Sequence, residues 1–197
     1  MIITTARTLP RRTLPRAIAS LSAALLLAAC ADGTATGSVE PVSARSDAAA
    51  RFPDLGVCQT LLKVPDGSTV AFHAFATGVQ IYRWNGTSWA FVAPAADLFA
   101  DASQNALVGT HFGGPTWQTL SGSRVVGTVT GRCTPNPTAI AWLVLDAVAD
   151  GAGVFEDTKF IQRLNTVGGN APSAPGSTVG EEARVPYTAD YYFYRAP

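Results

Sequence analysis

Charge is scarce in this chain of 197 residues: Asp, Glu, Lys and Arg together make up 14%, against roughly 25% in an average soluble domain. That disfavours a long helical bundle, which needs a charged solvent face. Histidine is scarcer still, with only His73 and His111. There is no Cys-x-x-Cys, no His-Glu-x-x-His, no Gly-x-Ser-x-Gly and no phosphate-binding P-loop, so no metal or nucleophile motif is signalled by spacing. Beyond the N-terminal region, no apolar run is long enough for a membrane-spanning helix. Excess positive charge is also missing. The formal net charge is +0, which removes the electrostatic basis for binding nucleic acid.

What fills the gap is Gly, Ala, Ser and Thr, together with alternating apolar and aromatic runs. The clearest lies at Thr69–Val92, where two β-rich runs flank Asn85-Gly86. Asn-Gly favours a tight hairpin turn with positive φ. Within it, Val70, Phe72, Ala74 and Ala76 share one face, and Ala71, His73 and Phe75 the other. Thr77-Gly78 reads as a bulge or sharp bend, and Ser88–Val92 as a return strand ended by Pro94. Cys58–Val64 reads as an earlier strand, stopped by Pro65-Asp66-Gly67. Downstream, Leu107–Phe112, Thr116–Leu120, Arg124–Cys133, Ile140–Val148, Thr158–Asn165 and Val185–Arg195 read as strands, with one helical turn expected at Ala95–Ala100. On Thr158–Asn165, Ile161 and Arg163 face one way and Phe160, Gln162 and Leu164 the other. On the last strand, Tyr187, Ala189, Tyr191 and Phe193 share a face. About nine strands at hairpin spacing predict an all-β fold with little helix, an antiparallel sandwich or barrel.

The N-terminus has another character. Met1–Ala19 carries Arg7, Arg11, Arg12 and Arg16 and no acid; a short apolar core and small residues follow. This is the make-up of an export signal. Its end, Leu27-Ala28-Ala29-Cys30, resembles the lipobox of bacterial lipoproteins. The resemblance implies a signal peptide over 1–29, acylation of Cys30, and anchoring in the cell envelope, with Ala31 favouring the outer membrane. Residues 30–51 then read as a flexible tether and 52–197 as a single β-domain. Loss of the four signal arginines leaves a mature net charge of roughly −4. With Cys30 acylated, Cys58 and Cys133 remain as a disulfide pair in an oxidising compartment. Two separate buried thiols are the alternative. A bridge would close a loop of about 75 residues and stabilise the fold by roughly 4 kcal/mol in the chain-entropy model.

Several stretches are similar to a family of secreted proteins, domain of unknown function 3455. They include Gly78-Val79-Gln80-Ile81-Tyr82, Gly109-Thr110-His111-Phe112-Gly113-Gly114-Pro115-Thr116-Trp117, Ile161-Gln162-Arg163, Thr166-Val167-Gly168-Gly169 and Tyr191-Tyr192-Phe193-Tyr194. The resemblance implies export and one domain, and brings no activity, ligand or catalytic residue. Some relatives carry the label malate dehydrogenase. Gly151-Ala152-Gly153-Val154-Phe155-Glu156 gives it no support, since Glu stands where the third Gly of a dinucleotide loop belongs. No cofactor is therefore expected.

For a site, Gly113-Gly114-Pro115 beside His111 and Trp117 is the first candidate, because Gly admits a ligand to the backbone and Pro holds the bend. The candidate binding residues are His111, Trp117, His73, Arg83, Gln80 and Trp84, a set suited to a small molecule or glycan. Core packing is the competing role for the aromatics. Arg163 reads as a structural ion-pair partner or a ligand anchor. The leading expectation is an envelope-facing binding module. A hydrolase or metal-dependent enzyme using His73 and His111 is the alternative, and an envelope protein without ligand the third.

Overall fold

The computed structural model describes residues 52–197. The expected signal peptide, acylated Cys30 and tether lie outside the described residues.

The architecture is all-β. Eight antiparallel strands form a closed barrel: β1 (Thr69–Trp84), β2 (Trp89–Phe99), β3 (Leu107–Phe112), β4 (Thr116–Thr119), β5 (Arg124–Cys133), β6 (Trp142–Asp150), β7 (Thr158–Gly168) and β8 (Glu182–Arg195). Each strand pairs with its neighbour in sequence, and β8 pairs with β1 from Thr69↔Arg195 to Arg83↔Glu182, closing the ring. Closure leaves no unpaired sheet edge.

The β1–β2 hairpin turns at Asn85-Gly86 as the dipeptide predicts. Gly86 has φ 97°, and Asn85 Oδ1 accepts from the backbone N–H of Thr87 and Ser88 at 2.9 and 2.8 Å. Alternation then sorts the side chains. Ala74, Ala76, Leu98, Val125, Leu145, Ile161, Ala189 and Phe193 fill the interior. Gly78 is not a bulge: the β1–β2 register runs through it, and shifts at Ile81/Tyr82 instead. Glycine is needed there because β2 comes so close that a Cβ would lie 2.2 Å from the Ala95 carbonyl oxygen.

Three further expectations are corrected. The helical turn placed at Ala95–Ala100 is strand, since β2 runs on to Phe99 with Ala96 and Leu98 turned inward. Ladder pairing on both flanks overrides the helix propensity of alanine. Pro94 does not end β2, because β2 pairs with β3 only from Ala96 onward and proline is tolerated on a locally one-sided stretch. Cys58–Val64 is not a strand either. Gly56–Cys58 is a 3₁₀ turn and α1 (Gln59–Leu62) a single helical turn, which is why the strand count is eight.

That segment packs outside the barrel. Leu55, Cys58, Leu62 and Val64 cover Val144, Leu164 and Tyr194 on the outer wall. A disulfide from Cys58 to Cys133 at the end of β5 ties it down. Gln162, buried on the outer face of β7, donates to the Leu62 carbonyl at 2.6 Å and accepts from the Tyr194 hydroxyl at 2.6 Å. It thereby satisfies a helix-end carbonyl that has no partner within the helix.

Candidate functional site

The two mouths of the barrel differ. At one, Phe155 from the β6–β7 connection is fully buried and packs against Phe72 and Phe193 at ring-centroid distances of 5.5 and 4.6 Å. The segment 151–156, dinucleotide-like in sequence, is thus the loop that delivers a plug. Its backbone is held by Ser123 Oγ, which accepts from the Phe155 N–H at 3.1 Å.

Toward the other mouth lies a cavity of about 410 Å³, a volume typical of small-molecule sites. Its walls are Gln80 and Tyr82 from β1, Phe91–Pro94 from β2, His111 and Trp117 from β3 and β4, and Leu143 and Leu145 from β6. Arg163 from β7 and Tyr191 from β8 complete the ring, and Gly113-Gly114-Pro115, Ile140 and Asn170 form the rim. Tyr82 donates to the Gly169 carbonyl at 2.7 Å, fastening the β7–β8 loop to the wall. Asn170 fastens the same loop to the Pro137 carbonyl at 3.0 Å.

The polar groups at the cavity are unusually free. His111 stacks on Trp117 with centroids 4.3 Å apart, and its Nδ1 is 2.9 Å from the Thr116 carbonyl. A carbonyl only accepts, so Nδ1 carries the proton and Nε2 is left as an acceptor. Burial, aided by the Arg163 charge and opposed by the Thr116 bond, pulls the His111 pKa down to about 3. The ring is neutral at physiological pH. Trp117 Nε1, Gln80 Nε2 and the hydroxyls of Tyr187 and Tyr191 are all buried with no hydrogen-bond partner among the described residues. Tyr187 and Tyr191 are neighbours, with Gln80 beside the first and Arg163 beside the second, yet none of these approaches has hydrogen-bond geometry. Burial raises the pKa of both phenols, so both keep their protons.

Arg163, half-buried, is a charged side chain in the cavity wall. Its Nε and Nη2 donate to the Ala141 carbonyl at 3.1 and 2.8 Å. Among the described residues no carboxylate lies within ion-pair distance of it, so the structural pair expected from sequence does not form. No Asp or Glu lines the cavity, whereas Arg132 adds a second positive charge at the rim.

A sequence profile for the family described as protein of unknown function (DUF3455) matches residues 65–195. The chain belongs to the DUF3455 family. No curated protein and no solved structure matches it. The match spans all eight strands of this DUF3455 barrel and leaves out α1 and Cys58.

Of the six candidate residues, the DUF3455 barrel brings Gln80, His111 and Trp117 together at the cavity. The other three lie elsewhere. His73 faces outward and stacks on Tyr192 with centroids 4.1 Å apart. Strand alternation therefore puts His73 and His111 on opposite faces of the wall, and the shared site required by the alternative enzyme reading does not form. Among the described residues no group of three or more His, Cys, Asp or Glu converges. Arg83 is outside, pairing with Glu182 at 2.6 Å. Trp84 packs against Trp89 and the β7–β8 loop, where a Cβ on Gly176 would come within 2.6 Å of its ring. The residues missed were Tyr191 at the cavity and Tyr187 beside it; of the two roles read for Arg163, ion-pair partner or ligand anchor, the ion pair is absent among the described residues. The signal was the inward register they share with Ile161, Ala189 and Phe193.

Proposed function

We propose that this protein is a binding module that takes a small molecule into the open end of its barrel. The observation that carries this reading is the set of buried donors around one cavity that have no hydrogen-bond partner among the described residues: Trp117 Nε1, Gln80 Nε2 and the Tyr191 hydroxyl, with the Tyr187 hydroxyl behind them beside Gln80 and Tyr191. A buried polar group without a partner costs about 1–3 kcal/mol. Several in one place are retained where a ligand completes them. The interior position favours a compact molecule over an extended glycan. Trp84, one of the candidate aromatics, is engaged with Trp89 and Gly176, and Trp89 donates to the Ala174 carbonyl of the same loop.

Binding is favoured over acid–base catalysis by the titration behaviour of the wall. His111, at about 3, is too weak a base at neutral pH, and a catalytic acid or base works best with a pKa near the operating pH. The buried phenols are shifted the opposite way, further from neutrality.

The module is exported and held to the envelope by acylated Cys30, facing the periplasm or the cell surface. The Cys58–Cys133 bridge supports this placement, because structural disulfides belong to oxidising compartments. Intact-mass measurement of the processed protein should show an acylated N-terminus and no free thiol.

The binding reading is tested with Val129→Trp. Val129 lines the cavity and is partly exposed, so the larger ring fills space without breaking the core. A thermal-shift screen of small molecules should yield ligands that stabilise the wild-type chain and lose their effect in this variant. Ligands that protect both chains equally overturn the interior site.

A further inference from the structure

The chemistry of the cavity narrows the ligand, on the basis of the binding role above. We propose that the ligand is a monoanionic carboxylate with an apolar body, its carboxylate held by Arg163 and its body lying toward Phe91, Val92 and Val129 at the rim.

Three observations converge on the head group. Arg163 is half-buried, it has a single carbonyl as acceptor, and no carboxylate of the described chain reaches it. A guanidinium in such a place is poorly compensated, and its planar fork matches a carboxylate in a bidentate pair. Next, the groups that share its cavity and have no partner among the described residues are able to donate. Trp117 Nε1 and the amide nitrogen of Gln80 only donate, and the phenols keep their protons. A carboxylate, with two oxygens and about four lone-pair sites, meets such donors as a neutral apolar molecule does not. Last, no acidic side chain lines the cavity and Arg132 stands at its rim, so the path inward carries one sign of potential.

A monoanion fits better than a phosphate or sulfate dianion. Arg163 is the charged group in the wall, with Arg132 at the rim and His111 neutral, so a second negative charge there has no buried counter-charge. The apolar body follows from the rest of the lining. Phe91, Val92, Val129, Ile140 and Leu143 give the mouth a hydrocarbon surface, and Phe91, Val92 and Val129 are partly exposed when no ligand covers them.

The test uses the full chain with octanoate, octan-1-ol and octylamine as matched probes, read by calorimetry and by tryptophan fluorescence. Octanoate should bind saturably, more tightly than octan-1-ol, with octylamine weakest. Arg163→Gln should weaken octanoate at least tenfold and leave octan-1-ol within about twofold, which also reports that the cavity is still formed. Arg163→Lys should recover part of the octanoate affinity. Octanoate and octan-1-ol binding with equal affinity, both insensitive to Arg163→Gln but blocked by Val129→Trp, overturns the carboxylate assignment and leaves the interior site standing. Octanoate binding that persists in Val129→Trp overturns the interior site itself. No saturable octanoate binding to the wild-type chain also overturns the proposal.

Discussion

The two ends of this barrel are built from the same strands and have opposite chemistry. At the closed end β8 contributes Phe193, which packs on Phe72 and Phe155. Two residues earlier on the same inner face it contributes Tyr191, and four residues before that Tyr187, each with a buried hydroxyl that has no hydrogen-bond partner among the described residues. β7 does the same with Ile161 at the apolar end and Arg163 at the polar one. The closed end is filled by packed rings, although Ser68 Oγ and Thr158 Oγ1 are also buried there without a partner among the described residues. The other end gathers more such groups around one cavity, which lowers stability and is expected where a function needs them. On the proposed binding role, stability and recognition are divided along the barrel axis, within single strands.

The largest test of that division removes the plug. Phe155→Ala deletes a fully buried ring and should cost about 3–5 kcal/mol, as large aromatic truncations in cores do. Chemical denaturation measures it. A loss below about 1 kcal/mol would show that the closed end does not carry the stability assigned to it.

The pH dependence of stability is next. His111 has a folded-state pKa of about 3 against 6.5 for the free side chain. Between those values the unfolded chain binds a proton that the folded chain does not. Stability attributable to His111 is therefore full above about pH 6.5 and falls as the pH drops toward 3, with a slope of up to about 1.4 kcal/mol per pH unit. His73, shifted down mainly by burial, acts in the same direction from outside the wall. Denaturation curves from pH 7 to pH 4 should show a shallower slope in His111→Gln than in the wild type. Equal slopes would mean that the ring is not buried in its neutral form.

The smallest effect is the most discriminating. Tyr191→Phe removes an unpartnered hydroxyl and keeps the ring, so the free protein should gain about 1 kcal/mol while ligand affinity falls. Phe193 already shows that a bare ring is accommodated on this face. A destabilised Tyr191→Phe protein would indicate that the hydroxyl is bonded within the fold, and the contrast between the two ends would weaken.

Much of the wall was legible beforehand. Period-two alternation placed Arg163 with Ile161, and Tyr187 and Tyr191 with Phe193, and the Asn-Gly dipeptide placed the hairpin. Alternation states which residues share a face, but it does not say which face encloses a cavity or how far along the axis packing stops. The structural pair expected for Arg163 failed for that reason, since no carboxylate follows it into the interior. Cys58–Val64 was misread for another. Leu55, Cys58 and Leu62 are spaced for one side of a helical turn, and a closed ring offers no free edge for a ninth strand to join.

The amino-acid order by itself determined the all-β class, the family, the hairpin and the inward and outward faces of most strands, because these depend on local alternation and turn chemistry. Tertiary structure alone decided that the strands close into a ring of eight, that His73 and His111 fall on opposite sides of the wall, and that one mouth is plugged while the other is open. Those outcomes depend on contacts between residues distant in the chain, and a local pattern carries no information about which distant residue arrives to fill a space.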